Sequence, residues 1–539
     1  VKRFFLPAAV ILSAALGASA ATSWASRDIR YNRTSPLPSA IVADTTLNAW
    51  RGERLGALAL IGTDSRTVAS VRFTGPLKGC AHFTDFVLTD DFRKCGPHPS
   101  DLTPWEIADI IDNTSSEAVI EAGETRPVWV TLDIPSDMRP GLYTDTLFID
   151  GEQLTLNVNV QKPVLPSPDK RAFYLNLWQQ PYSVSRYHKV EPWSREHFDL
   201  LKPYARMLAL AGQRAISTIL FFEPWGEQSN DLFLPMVETT RKADGSWNYD
   251  YTVFDRWVEF MTENGVGPDI ECFTMIPWEM NFRYFDEAAG DYRFLKTTTG
   301  APEYADLWGN FLRALVKHLD EKGWTERAVI AMDERSAPDM LNALSVIENA
   351  APQLKVSLAG NYHPELIDRL YSCSLTLGTP YPPGAVEKRR ANGQVSTLYT
   401  CCSSPEPNLF SNNMPADAAW IPLYATATGH DGYLHWSWLN WTDDPMHDSR
   451  FKMFAPGDTY FIYPEGRSSV RFERLIEGIQ LGEKVRLLKE CFTAENDARA
   501  LDELNRALVP VMLNQVDGNS TTAMQVNNVV SVIDRLSER

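Results

Sequence analysis

Ala328-Val329-Ile330-Ala331-Met332-Asp333-Glu334 is a short apolar run that ends abruptly in two acids, with helical periodicity on either side, at 304–322 and 338–349. A run of that length between helical segments reads as a buried strand. The same unit recurs along the chain. Candidate strands lie at 173–178, 218–222, 271–276, 329–333, 355–358, 375–379, 396–400 and 433–438, and further helical patterns at 195–210 and 251–263. Eight strands alternating with helices is the arithmetic of a (β/α)8 barrel, with a doubly wound open sheet as the alternative. No GxGxxG or Walker loop follows any of these strands, which argues against the nucleotide-binding versions.

Upstream, residues 25–165 alternate in the manner of short strands, as at 57–61, 68–73, 128–134 and 154–160, with Asp150-Gly151-Glu152 as a hairpin signal. This pattern predicts a β-sandwich. Three prolines in Lys162-Pro163-Val164-Leu165-Pro166-Ser167-Pro168 mark a stiff linker. The barrel is expected over 170–465, followed by helices over 466–539 that pack against it, with periodic stretches at 471–489, 501–513 and 526–536. Residues 1–20 have the layout of a secretory leader: Lys2 and Arg3, an apolar stretch, then Ala18-Ser19-Ala20. The chain is therefore expected to be exported, periplasmic or secreted, with no membrane span.

A formal net charge of −18 makes nucleic acid and anionic membranes poor partners. Sixteen tryptophans suit a protein that stacks sugar rings, although large cores are aromatic too. Among seven cysteines, Cys80 and Cys95 bracket a loop in which a bridge could form. The vicinal Cys401-Cys402 pair reads as a strand end, and no metal site is expected.

In such a barrel, residues just past the strands face the active site. Those positions carry Trp178, Glu223 with Trp225, Trp278 with Glu279, Asp333 with Glu334, Asn361-Tyr362-His363, Tyr381, and Trp436, Trp438 and Trp441. Carboxylates and indoles without a serine nucleophile or metal cluster point to acid–base chemistry on a sugar. Asp-Glu also occurs at 286, 320 and 502, but only Asp333-Glu334 follows a buried strand. Most retaining glycosidases place two carboxyls about 5–5.5 Å apart on opposite faces of the sugar, which sequence neighbours do with difficulty. Neighbours suit substrate assistance instead. There the 2-acetamido carbonyl attacks the anomeric carbon, Glu334 serves as acid and then base, and Asp333 orients the acetamido group. Burial and an adjacent charge both favour the protonated form that a leaving-group acid requires. The plainer alternative is that the two acids cap the helix that follows.

The sequence resembles glycoside hydrolase family 123 over most of its length. The resemblance rests on Leu47-Asn48-Ala49-Trp50-Arg51-Gly52-Glu53-Arg54, the strand ending in Asp333-Glu334, Asp431-Gly432-Tyr433-Leu434-His435-Trp436, Asp443-Asp444-Pro445, Pro456-Gly457-Asp458-Thr459-Tyr460, and the stretch from Ser468 to Gln480. It implies a sandwich before a (β/α)8 barrel, and exo-acting, retaining release of β-linked N-acetylgalactosamine from a glycan or glycoconjugate, without cofactor or metal. It also implies Glu334 as the acid and Asp333 as the acetamido-orienting group.

The remaining candidates have two readings each. Trp178, Trp436, Trp438 and Trp441 are expected on the sugar pocket, with barrel filling as the alternative. Tyr381 could meet the acetamido carbonyl or only pack its loop; Asp458 could bind a sugar hydroxyl or cap its turn. His363 reads first as structural. Glu223 or Glu279 could supply a second carboxylate, making the enzyme a conventional two-carboxylate glycosidase. A non-catalytic carbohydrate-binding protein is the third reading.

Overall fold

The computed structural model describes residues 20–404 and 406–538; the leader read at 1–20 lies, but for Ala20, outside them. The N-terminal part is a sandwich of two sheets. One sheet orders Ala21–Ala25, Arg54–Gly62, Thr125–Asp133, Cys80–Thr89 and Trp105–Ile111. The other orders Asp44–Arg51, Glu152–Val164, Gly141–Ile149, Thr67–Thr74 and Glu117–Ile120. Asp150 and Gly151, with φ of 49° and 87°, form the two-residue turn between Ile149 and Glu152, the geometry that matches strand twist.

Arg54–Gly62 is apolar without alternation because both its faces are covered. Ala57, Ala59 and Ile61 meet Leu156, Val158 and Val160 of the second sheet. Leu58 and Leu60 face the other way, with Trp129, Phe86 and Val470. Val470 opens the helix Val470–Ala494, which is wedged between sandwich and barrel. Three of its buried polar residues bind the sandwich: Glu473 pairs with Arg54 at 2.8 Å, Arg474 with Asp28 at 2.6 Å and Lys484 with Glu53 at 2.6 Å. Gly478 lies where a Cβ would meet the Ala419 carbonyl oxygen at 2.4 Å, so the helix can press directly onto Pro415–Ala427.

The barrel strands are β1 (Tyr174–Leu177), β2 (Ala215–Ile219), β3 (Asp269–Phe273), β4 (Ala328–Met332), β5 (Lys355–Ala359), β6 (Ser372–Thr376), β7 (Val395–Thr400) and β8 (Gly432–His435). Their order is β1-β8-β7-β6-β5-β4-β3-β2, all pairs parallel. Between β1 and β2 only one backbone bridge, Leu175 to Gln213, completes the ring. Side chains close the rest of that seam: Gln213 accepts from the Leu177 N–H at 2.9 Å, and Gln179 accepts from the Ser217 N–H at 2.7 Å. The connection from β5 to β6 carries only the short 3-10 turn Ile367–Arg369 in place of a helix. Two excursions, after β2 and β3, build an accessory sheet from Glu238–Arg241, Trp247–Asp250, Asn281–Asp286 and Asp291–Lys296, which the sequence pattern does not announce. Among the described residues no helix is long and apolar enough to cross a membrane.

The bridge considered between Cys80 and Cys95 does not form. Cys95 is joined to Cys402, 307 residues away, and Cys80 is a free thiol at the start of a strand. The fold carries the loop holding Cys95 onto the barrel loops, where Gly96 and His98 donate backbone bonds to Met453 and Lys452, both at 2.9 Å.

Candidate active site

β4 is buried along its whole length, as a central parallel strand is, and its polar residues begin only where it leaves the barrel. The helix that follows, Ala337–Ala350, is capped by Ser336, whose Oγ accepts from the Asp339 N–H. The two acids are therefore not the cap. They line a cavity of about 250 Å³ at the C-terminal ends of the strands. Trp178, Trp278, Tyr399, Cys401, Trp436 and Phe454 share its wall, as does the Cys95–Cys402 bridge.

The two acids sit differently. Glu334 is exposed at the cavity, and the Tyr399 hydroxyl donates to its Oε1 at 2.6 Å. Burial and the Glu334 charge raise the phenol's pKa, so Tyr399 remains a donor. Asp333 is half-buried, and its Oδ1 accepts from the Glu334 backbone N–H at 2.8 Å. Burial pushes the Asp333 carboxyl up to about 6, against the opposing pull of the Arg335 charge and that backbone bond. Trp278 shares the cavity wall with this carboxyl.

Gly360, just past β5, has its α-carbon against this turn: a Cβ there would stand 3.1 Å from the Glu334 Cα. Gly360→Ala is expected to push Glu334 aside by a few tenths of an ångström. Kinetics should show kcat lower by roughly fivefold, given how steeply rate depends on placement, with little change in thermal midpoint.

Of the aromatic candidates, Trp178 and Trp436 reach the cavity. Trp178 is stacked on Trp225 with centroids 5.5 Å apart and packed on Phe273. Trp436 rests against Phe454 and donates its indole N–H to Asp458 at 3.1 Å. Asp458 is wholly buried and absent from the cavity wall. It meets the cavity through Trp436. Trp438 and Trp441, expected on the pocket, are instead wholly buried in the barrel core. Trp438 packs on Phe472, and Trp441 donates to the Ile462 carbonyl at 2.8 Å. Tyr381 turns away, donating to the Cys373 carbonyl at 2.7 Å and lining a separate cavity of about 310 Å³. His363 supports the acid turn from behind, with Nε2 3.3 Å from the Arg335 carbonyl.

Neither alternative carboxylate joins the site. Glu223 accepts the Phe233 backbone N–H, and burial pushes it up to about 7, but it does not line the cavity. Glu279 is exposed and also off the wall. The residue that sequence reasoning missed is Tyr399. It stands inside β7, while candidates were sought past the strand ends; an inward tyrosine in the last two residues of a barrel strand was the available signal. Among the described residues no three His, Cys, Asp or Glu side chains converge to hold a metal ion.

The sequence profile described as "Glycoside hydrolase 123, catalytic domain" matches residues 178–488, and that described as "Glycoside hydrolase 123 N-terminal domain" matches 24–151. No curated protein matches the chain. Among solved structures, a family 123 glycoside hydrolase from Clostridium perfringens, presented for its hydrolysis of glycolipid glycans, superposes with a TM-score of 0.86. It is 22% identical, over 96% of this chain and 98% of that one. A putative alpha-galactosidase/melibiase from Bacteroides fragilis (TM-score 0.26, 11% identity, 85% and 80% covered) is too distant in structure to inform the site. The same holds for amylomaltase from Corynebacterium glutamicum (0.30, 10%, 80% and 89%).

Proposed function

The chain belongs to glycoside hydrolase family 123, and from that membership we propose that it releases terminal β-linked N-acetylgalactosamine, exo-acting and with retention, by substrate assistance. The observation that carries this reading is the cavity's inventory. Among the described residues, its only lining carboxyls are the adjacent Asp333 and Glu334, with no third opposite them as a nucleophile. The substrate must then bring its own nucleophile, which the 2-acetamido oxygen is. A cavity of about 250 Å³ suits a single sugar residue, in keeping with exo action.

In this mechanism the sugar rests on Trp436, whose plane is held by Asp458. Glu334, fixed by Tyr399, gives its proton to the leaving oxygen as the acetamido oxygen closes on the anomeric carbon. Asp333 takes the acetamido N–H and balances the positive charge that grows there. Glu334, now a carboxylate, removes a proton from the water that opens the oxazoline, restoring the β configuration. The substrate class we propose is a glycoconjugate ending in N-acetylgalactosamine, a glycolipid glycan among the options. We further propose that the enzyme works outside the cytoplasm. The leader-like residues 1–20 and the Cys95–Cys402 bridge, a bond that persists in oxidising compartments, both support this.

Chromogenic β-linked N-acetylgalactosaminide, N-acetylglucosaminide and plain galactoside test the proposal. The first is expected to be cleaved, and the galactoside to be slower by roughly 10³-fold or more because its intramolecular nucleophile is missing. Comparable rates on the galactoside would overturn substrate assistance. Preference for the glucosaminide would overturn the sugar assignment alone.

A further inference from the structure

Two of the stretches that carry the family resemblance, 431–436 and 456–460, meet behind the Trp436 indole. Ser437 ties them together, its Oγ donating to the Thr459 carbonyl at 2.5 Å. The second stretch delivers Asp458, wholly buried and, among the described residues, paired with no lysine or arginine. A carboxylate taken out of water needs hydrogen-bond donors. Its Oδ2 accepts from the Trp436 indole N–H at 3.1 Å. Its Oδ1 makes no ordinary hydrogen bond, but His435 Nε2 stands 3.4 Å away, itself buried without another partner. The other ring nitrogen, Nδ1, lies against Ser437, 2.9 Å from the carbonyl oxygen and 3.3 Å from the backbone nitrogen. The imidazole is wholly buried and meets Phe461 edge-on, with centroids 4.6 Å apart. The His435 carbonyl accepts from the Trp178 N–H at 3.1 Å, so the end of β8 is pinned to the end of β1.

We propose that His435 is a positioning residue for Trp436, acting through Asp458: the Nε2–H fixes one carboxylate oxygen, and the other oxygen holds the indole N–H so that the ring keeps its plane at the cavity. This rests on the reading of the cavity as a sugar site. Nε2 is the nitrogen turned to the carboxylate, and Ser437 offers Nδ1 both a donor and an acceptor, so a proton on Nε2 is accommodated. An aspartate can serve two donors with two oxygens, whereas an asparagine has one. Hydrogen bonds to a carboxylate are also shorter and stronger than those to a neutral oxygen. The main chain of Trp436 is clamped separately by the buried Gln180. Its Nε2 donates to the Trp436 carbonyl at 3.0 Å, and its Oε1 accepts from the Trp438 N–H at 3.0 Å. Phe454 packs beside the indole with centroids 4.9 Å apart, but an apolar contact has no direction. The indole N–H is thus the handle by which the ring's plane is set, and His435 steadies the group that grips it.

The test pairs kinetics with nitrogen-15 NMR of labelled histidine and tryptophan side chains, the two signals being assigned by their loss in His435→Gln and Trp436→Phe. In the wild type, His435 Nε2 is expected to be a protonated nitrogen, and a bare Nε2 would overturn the proposal. His435→Phe keeps a buried ring and removes the donor. It is expected to raise KM roughly tenfold with kcat little changed, the pattern of lost uniform binding, and to move the Trp436 indole N–H signal. His435→Gln, whose side-chain amide can still donate to Asp458, recovers most of that loss. In a Trp436→Ala background, His435→Phe costs nothing further in KM. An unmoved indole signal, or the same cost in both backgrounds, would overturn the proposal and leave His435 a packing residue. Should His435→Phe fail to fold, the wild-type histidine spectrum and the glutamine variant decide. Because the spectra need no substrate, they separate this inference from the proposed function. A bare Nε2 in an enzyme that releases N-acetylgalactosamine rejects the positioning role alone. A protonated Nε2 and a moved indole signal in an enzyme indifferent to the acetamido group reject the reaction alone.

Discussion

Glu334→Gln is expected to lower kcat on a natural-type glycoside by about 10²–10⁴-fold, the usual worth of a positioned general acid–base. Gln keeps the shape, and its carbonyl can still accept from Tyr399, so the fold and KM should be nearly unchanged. The loss has two parts that can be separated. With an activated aryl leaving group the first step needs little proton donation, and the deficit should shrink. The second step still lacks its base, so intermediate should accumulate, and added azide should trap it as the β-glycosyl azide. A deficit of the same size for every leaving group, with no azide product, would move the acid–base role elsewhere.

Asp333→Asn is expected to lower kcat by roughly 10²–10³-fold, as the loss of one preorganised charge partner does, and to raise the thermal midpoint at neutral pH. The sign follows from the shift. The carboxyl's value rises from 3.8 to about 6 on folding, so the folded protein holds the proton more tightly than the unfolded chain. Below about pH 4 both states are protonated and the group costs nothing. As pH climbs through 6 the folded state must bear a half-buried charge, and stability is lost. Asn bears no charge, so its advantage should be absent near pH 4 and full above pH 6. Differential scanning fluorimetry at several pH values checks this, and an advantage that grows toward acid pH would contradict it. The site thus gives up stability for a charge that Arg335 and the Glu334 backbone N–H offset only in part.

All eight barrel strands are legible in the sequence because parallel strands buried on both faces read as apolar runs. Their ends are less so. At β2, β3, β6 and β8 apolar residues continue past the last strand residue, at Leu220-Phe221, Met275-Ile276, Leu377 and Trp438, because those residues are buried too. Apolarity reports burial, not pairing. The accessory sheet escaped notice because Asn281–Asp286 and Asp291–Lys296 mix charges with aromatics on half-exposed strands. The acid pair was legible as the only Asp-Glu after a buried strand. Which indoles reach the cavity was not: Trp436 and Trp438 differ by two residues, yet one lines the pocket and the other packs on Phe472. The partner of Cys95 could not be read either, since nearness along the chain favoured Cys80 while the fold brings up Cys402.

That bond ties the order of manufacture to the finished pocket. Cys95 is translated 307 residues before Cys402, so the sandwich leaves the ribosome with an open thiol and must wait until the seventh barrel strand has followed. One wall of the pocket therefore cannot be fastened before Cys402 is made, and a chain stopped short of that point has no way to fasten it.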